Sequence, residues 1–240
     1  MNVQLVTKTQ GVGKYEGLTS EEIISAISRH GIIKEDNGKL VKYLMDNKHW
    51  SPLDMINFGF EIETSRAIGR QLLRHASIRP QEHSQRYSNR VLFEPIELRK
   101  ENRVNRQSST EIFDPVIEMW EITKDWDTEN LASKLINDYL NYGSELYENL
   151  IKAGVAKECA RMILPECTTT TMTFNGTLRS WLSFLNVRCD HHAQKEIVII
   201  ATLIGEILEK EMPNVFSTID WKKGMFMQKI IKSWKKILKK

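Results

Sequence analysis

The sequence predicts a helix-rich α+β single domain with a small sheet of antiparallel type, on three observations. Ile56, Phe58, Phe60 and Ile62 alternate with Asn57, Gly59, Glu61 and Glu63, the two-residue period of a strand with one buried face. Longer stretches carry helical stripes, above all 131–152 and the run holding Ile197, Ile200, Ala201, Ile204 and Leu208. Other strand-like runs are few and short, at 3–7 and 167–174, so helices predominate.

The remaining elements follow in chain order. Residues 3–7 read as an opening strand, and Gly11, Gly13 and Gly17 follow as a turn with neither a GxGxxG nor a GK[ST] pattern. Thr19 and Glu22 form a capping box that opens a helix with Ile23, Ile24 and Ile27 on one face, ending near Gly31. A second helix starts at Asn37, buries Leu40, Val41 and Leu44, and stops before Ser51-Pro52, where the residue preceding proline disfavours helix. After the alternating strand, Ser65 is placed to cap a helix over 66–75, with Ile68 and Leu72 inward and Arg66, Arg70 and Arg74 stacked on another side. Pro80 prevents continuation, and 81–88 reads as extended, with Glu82, Ser84 and Arg86 on one side.

Residues 93–109 read as a polar surface excursion or lid, and 112–126 as a helix broken at Pro115. The helix 131–152 carries Leu131, Leu135, Tyr139, Leu146 and Leu150 and stops at Gly154. A helical turn at 157–162 ends at Leu164-Pro165, the β-branched run 167–174 is a strand, and Asn175-Gly176 is a turn signal. An amphipathic helix then runs from Thr177 to Arg188, and Asp190 is placed to cap the last long helix, which ends before Pro213. The domain is expected to span 1–220, with 221–240 a Lys-rich, helical tail in which eight lysines from Lys222 onward meet no acid.

At 240 residues and 41% hydrophobic content the chain can bury a substantial core, which excludes disordered and fibrous classes. It has no apolar run of about eighteen residues and no signal-peptide pattern, so no membrane association and a cytoplasmic location are expected. Cys159, Cys167 and Cys189 fit neither a disulfide framework nor a CxxC motif and read as core or incidental thiols.

The densest chemistry lies between Arg70 and Arg90, where arginines, His75, His83, Glu82 and several hydroxyl and amide side chains crowd together. Arginine forks suit phosphate, and the neutral polar groups suit a base or sugar, so this is a candidate nucleotide site; a solvated helix face is the alternative. A Ser84–His83 nucleophile lacks a GxSxG elbow, and His191-His192 lacks further metal ligands at helical spacing. The net charge of +3 and the lysine tail leave nucleic-acid binding open, without the interleaved aromatics or modules it would need.

At this stretch the sequence resembles the flavin-dependent thymidylate synthases, whose signature is Arg-His-Arg, seven residues, then Ser. Here it reads Arg74-His75-Ala76, seven residues, then Ser84-Gln85-Arg86. His49-Trp-Ser-Pro-Leu-Asp54, Phe60–Arg66 with Arg70-Gln71, Arg161-Met-Ile-Leu-Pro165, Gly176–Trp181, Phe184–Arg188 and Ala193–Glu196 resemble further family segments in the right order. The resemblance covers about 49–213 and implies the thymidylate synthase-complementing protein fold.

It also implies a methyltransferase that moves a methylene from methylenetetrahydrofolate to C5 of dUMP, with reduced FAD as hydride carrier, NADPH as reductant and no cysteine nucleophile. Carried over residue by residue, dUMP would be held by Gln71, Arg74, Glu82, Ser84, Gln85, Arg86, Arg161 and Arg188, with Arg188 polarising the uracil edge as the catalytic residue. FAD would be held by His49, Ser51, Arg74, His75, Glu82, Thr177, Arg179, Ser183 and His192, with no metal, in a homotetramer with composite sites.

The departures are Ala76 for the second signature arginine, Asp54-Met55 for Glu-His, and Thr177 and Ser183 for asparagines of some members. They thin the flavin side and leave the nucleotide side intact. Two alternatives therefore stand beside the synthase: a hydroxymethylase of dUMP or dCMP, and a non-catalytic nucleotide- or nucleic-acid-binding protein.

Overall fold

The computed structural model describes residues 1–86, 91–105, 108–117, 131–190 and 192–222. It is α+β and falls into two compact units. The first comprises Met1–Glu63, Ile68–Glu82 and the described residues from Thr171 on; the second comprises Thr64–Ala67 and His83–Thr170. Strands β1 (Asn2–Lys8), β2 (Asn57–Ser65), β3 (Arg79–Glu82) and β6 (Thr169–Thr177) form a sheet in the order β1-β2-β6-β3, while β4 (Arg99–Glu101) and β5 (Ser109–Ile112) pair separately. Both β1–β2 and β3–β6 are antiparallel. The Leu178 N–H donates to Ile56 O at one end of β2 and the Arg66 N–H to Thr168 O at the other, so β6 runs opposite to β2 as well.

In the first unit, the alternation of β2 does what its pattern requires: Ile56, Phe58, Phe60 and Ile62 are fully buried. Against them pack helix α6 (Leu178–Arg188), through Trp181 and Phe184, and helix α7 (Lys195–Glu211). The Trp181 ring meets Phe60 edge-on at 4.9 Å, and its indole N–H donates to Phe58 O at 3.0 Å, so the bulky aromatic is buried with its one donor satisfied. Helix α1 (Ser20–Ser28) has both halves of the Thr19–Glu22 capping box. Gly31, at φ 83°, closes it with a bond from its N–H to Ala26 O at 2.8 Å. Glu21, buried near the start of that helix, accepts from the Asn214 and Val215 N–H groups at 2.8 and 3.0 Å and so caps helix α8 (Pro213–Phe216).

In the second unit, helix α4 (Ala132–Lys152) buries Ala132 and Tyr147 and leads through Gly154, at φ 90°, to helix α5 (Lys157–Ala160) and a 3-10 turn over Arg161–Ile163. Buried Glu94 accepts from the Ser65 N–H at 2.9 Å, and its own N–H donates to Cys167 O at 2.8 Å. No helix among the described residues is long and apolar enough to cross a membrane.

Several sequence expectations are corrected. Helix α2 (Lys39–Asp46) starts after Gly38, because Asn37 and Gly38 both have positive φ; it ends at Asp46, ahead of left-handed Lys48 and of the proline. Pro52 instead opens a 3-10 turn over Ser51–Met55. Helix α3 (Arg66–Leu72) is shorter than expected and follows directly on Ser65, the last residue of β2. Its stop comes eight residues before Pro80, which lies in the edge strand β3, where a missing N–H costs little. The extended segment ends at Glu82, so Ser84 and Arg86 do not continue its alternation.

The polar excursion contains the β4–β5 hairpin, and Ile112 ends a strand rather than opening a helix. Positions 118–126 of that expected helix lie outside the described residues, as do 87–90, His191 and the tail from 223 on. Tyr139 and Leu146 of the expected α4 stripe are exposed. Asn175-Gly176 is not a turn: Asn175 pairs with Arg79 inside β6, and a Cβ on Gly176 would stand 3.3 Å from both Ile78 Cγ1 and Trp181 Nε1. That glycine is there for close approach. Finally, Gln194 rather than Asp190 occupies the N-cap of α7; the Asp190 carboxylate accepts from the His192 N–H at 2.8 Å.

Candidate active site

In the first unit, the last turn of α3 and the bend after it meet the last turn of α6. Gln71 lies on α3, Arg74 and His75 on the bend, and Arg188 at the end of α6. Arg188 Nε donates to His75 Nε2 at 2.8 Å, and one Arg188 Nη donates to the Gln71 carbonyl at 3.1 Å. The His75 ring stands edge-on to Phe184 at 4.9 Å, and the Gln71 amide donates to Gln194 Oε1 at 2.6 Å. An imidazole nitrogen that accepts from a guanidinium carries no proton, so His75 is neutral with its hydrogen on Nδ1. Burial, and after it the charge of Arg188, lower the His75 pKa. The Arg188 pKa is lowered too, by burial and then by Arg74. No carboxylate lies within ion-pair distance of Arg188 among the described residues, so its charge is held by neutral acceptors only.

The other end of α6 is built differently. Thr177 caps the helix by accepting the Ser180 N–H at 3.2 Å, and its hydroxyl donates to Asp54 Oδ1 at 3.1 Å. Arg179 Nη1 donates to Asp54 Oδ2, also at 3.1 Å, so one carboxylate holds both side chains. Arg179 and Ser183 line a cleft of about 580 Å³ together with Trp50, Asn186 and Trp221. His49 and Ser51, beside Trp50 in the chain, are exposed, and His49 sits edge-on to Tyr43 at 6.1 Å. Ala76 is exposed on the bend, Glu82 ends β3, and His192 is exposed with Nδ1 2.8 Å from Asp190 Oδ1.

In the second unit, Arg66 Nη1 donates to Gln85 Oε1 at 2.6 Å, and the Arg86 N–H donates to the half-buried Ser84 hydroxyl at 3.3 Å. Arg161 opens the 3-10 turn after α5. The structure thus gathers Gln71, His75 and Arg188 around shared bonds, joins Thr177 to Arg179, and joins Arg66 to Gln85. Asp54, Gln194 and Phe184 support these groups without having been singled out as site residues in the sequence. Asp54 stood out as a departure within a matching segment, and Phe184 and Gln194 fall inside the matching segments Phe184–Arg188 and Ala193–Glu196.

Neither Cys167 nor Cys189 is set up as a nucleophile by its surroundings. Cys189 is buried and its thiol pushed up to about 12, and burial raises the Cys167 pKa as well. Among the described residues no group of three or more His, Cys, Asp or Glu could hold a metal.

A half-buried guanidinium with no carboxylate within ion-pair distance among the described residues, at the end of a helix and beside a second arginine, has the chemistry to suit an anionic or strongly polar planar ligand on an α+β scaffold. The model of the family of thymidylate synthase complementing proteins matches residues 12–214. The chain is 36% identical over 226 residues to a flavin-dependent thymidylate synthase of Synechocystis, covering 92% of this chain and all of that protein. It is 34% identical over 228 residues to the "Probable flavin-dependent thymidylate synthase" of Paramecium bursaria Chlorella virus 1, again 92% of this chain and all of the relative. It is also 33% identical to a flavin-dependent thymidylate synthase of Kosmotoga olearia, over 76% of this chain and 75% of the relative. The chain belongs to the thymidylate synthase complementing protein family.

Proposed function

We propose that this chain is a flavin-dependent thymidylate synthase that converts dUMP to dTMP. Methylenetetrahydrofolate supplies the carbon, NADPH the reducing equivalents, and a homotetramer in the cytoplasm completes the sites. The observation that carries the nucleotide half is Arg188, oriented by two neutral acceptors and retaining its charge. Of the five N–H donors of a guanidinium, two are committed, and three are left to address a ligand. A cation with parallel donors favours the uracil edge once N3 has lost its proton, and the extra charge on the ring makes C5 the nucleophile. The raised thiol pKa values of Cys167 and Cys189 agree with a route that needs no cysteine addition to the ring.

The residues present fit a flavin dinucleotide. The cleft by α6 offers the Arg179 guanidinium for a phosphate, the Ser183 hydroxyl, and the Trp50 ring as a flat apolar wall. His49, Ser51, Thr177 and His192 would add contacts, and the bound group supplies hydride chemistry that side chains lack. The protein's own part is binding, orientation and the placement of positive charge at the uracil. Gln71, Arg74, Glu82, Ser84, Gln85, Arg86 and Arg161 complete the proposed contacts to dUMP.

The exposed Ala76, in place of a second signature arginine, keeps a hydroxymethyl transfer as the second reading. One incubation separates the two. The purified protein, with FAD, dUMP, methylenetetrahydrofolate and NADPH, is expected to yield a product with the mass of dTMP. A hydroxymethyl product supports the second reading, and nucleotide binding without turnover overturns both.

A further inference from the structure

We propose that Arg66 is a positioning residue for Gln85, turning its amide so that Gln85 meets the nucleotide phosphate as a donor. The inference rests on the nucleotide reading above, which uses Gln85 but gives Arg66 no part. Arg66 Nη1 donates to Gln85 Oε1 at 2.6 Å, and both side chains are half-buried. A guanidinium carries donors only, so the amide oxygen is the atom that faces it, and the amide nitrogen is turned the other way. The bond joins the first residue of α3 to the turn at Gln85-Arg86, both within the second unit. Arg66 is itself held at its root, where its backbone N–H donates to Thr168 O at 2.9 Å.

The residues on either side of Gln85 are committed in the same sense. The Ser84 oxygen accepts from the Arg86 N–H at 3.3 Å, which leaves the hydroxyl hydrogen to donate, and Arg86 is exposed with its guanidinium. Ser84, Gln85 and Arg86 thus offer donors at three successive positions. A uracil edge mixes donors and acceptors, whereas an ionised phosphate mainly accepts, so this set suits the phosphate. A free Gln85 amide presents oxygen or nitrogen with equal ease, and an oxygen turned toward a phosphate repels it. Arg66 removes that choice and adds its own positive charge nearby.

The test uses the full-length protein, with circular dichroism melts to confirm folding and dUMP affinity read by calorimetry. Arg66→Met keeps the apolar stem and removes the donors; Arg66→Lys keeps a head that only donates. Gln85→Glu keeps the shape and the bond from Arg66 but carries no N–H. Gln85→Ala, alone and together with Arg66→Met, closes a double-mutant cycle. Steady-state kinetics add the split between KM and kcat for dUMP.

For Arg66→Met the expected result is a loss of about tenfold or more in dUMP affinity, seen as a raised KM with kcat within about threefold, since a phosphate contact is made alike in ground and transition states. Arg66→Lys is expected to retain most of the affinity, and Gln85→Glu to lose about tenfold or more. In the Gln85→Ala background, Arg66→Met should change affinity by less than about twofold, because the amide it orients is gone. The proposal is overturned if Arg66→Met binds dUMP like the unmodified protein, if its loss recurs in full in the Gln85→Ala background, if Gln85→Glu keeps the affinity, or if the loss falls on kcat alone. Should Arg66→Met not fold, Gln85→Glu decides by the same criterion. Failure of the unmodified protein to bind dUMP would instead sink the nucleotide reading itself, and this inference with it.

Discussion

The two ends of α6 each present an arginine, and they are held in opposite ways. Arg179, in the first turn, pairs with a carboxylate, Asp54, while its side chain is 54% exposed. Arg188, in the last turn, is half-buried and held by an imidazole and a carbonyl. The helix macrodipole accounts for part of the difference. A cation is disfavoured at the N-terminal end, so Arg179 gains from a nearby anion, whereas Arg188 sits where the C-terminal partial charge already favours it. The lesson concerns use: Arg188 arrives with its charge uncancelled and its geometry set, while Arg179 must share its donors between Asp54 and any incoming phosphate.

The largest test of this contrast is Arg188→Ala, expected to lower dUMP turnover by about 10²–10³-fold, the range for removing one preorganised donor from a developing charge. Ser84→Ala is expected to cost no more than about tenfold in the same steady-state assay. Equal, mild losses would mean that N3 polarisation is not central. At the other end, Asp54→Ala releases both Arg179 and Thr177, and a fall of about tenfold in FAD affinity is expected by fluorescence titration. An unchanged affinity would show that Asp54 orders a surface that flavin does not touch.

Ala76→Arg restores a fork of donors on the exposed bend and should tighten FAD binding a few-fold. If the titration does not move, the position has been compensated elsewhere. The smallest effect is on stability. His75 has a depressed pKa in the folded protein, so near and below about 6.5 the unfolded chain binds its proton first. Stability from this residue is thus fully present above that pH and declines as pH falls toward the folded value. Denaturant midpoints measured at pH 5 and pH 8 should separate more for the unmodified protein than for His75→Phe.

Much of the scaffold was legible because local rules and tertiary packing agree. The β2 alternation and the Thr19–Glu22 box are written in residues close together in the chain. Expectations failed where a distant partner decided. Asn175-Gly176 has the composition of a turn, yet β3 pairs with Asn175, and Ile78 and Trp181 crowd Gly176. Pro80 looked like a helix stop and became an edge-strand residue, because α3 had already ended. Asp190 could have capped α7 but is engaged by His192.

The sequence by itself determined the α+β class, the amphipathic faces of α6 and α7, and which side chains could serve a nucleotide, since residue chemistry and period are local properties. Only the tertiary structure decided that His75 faces Arg188 as an acceptor and that Asp54 binds both Thr177 and Arg179. These pairs lie 113 to 125 positions apart in the chain. Whether such groups meet depends on how β2, α3 and α6 pack around the buried aromatics of the core, which no short-range pattern encodes.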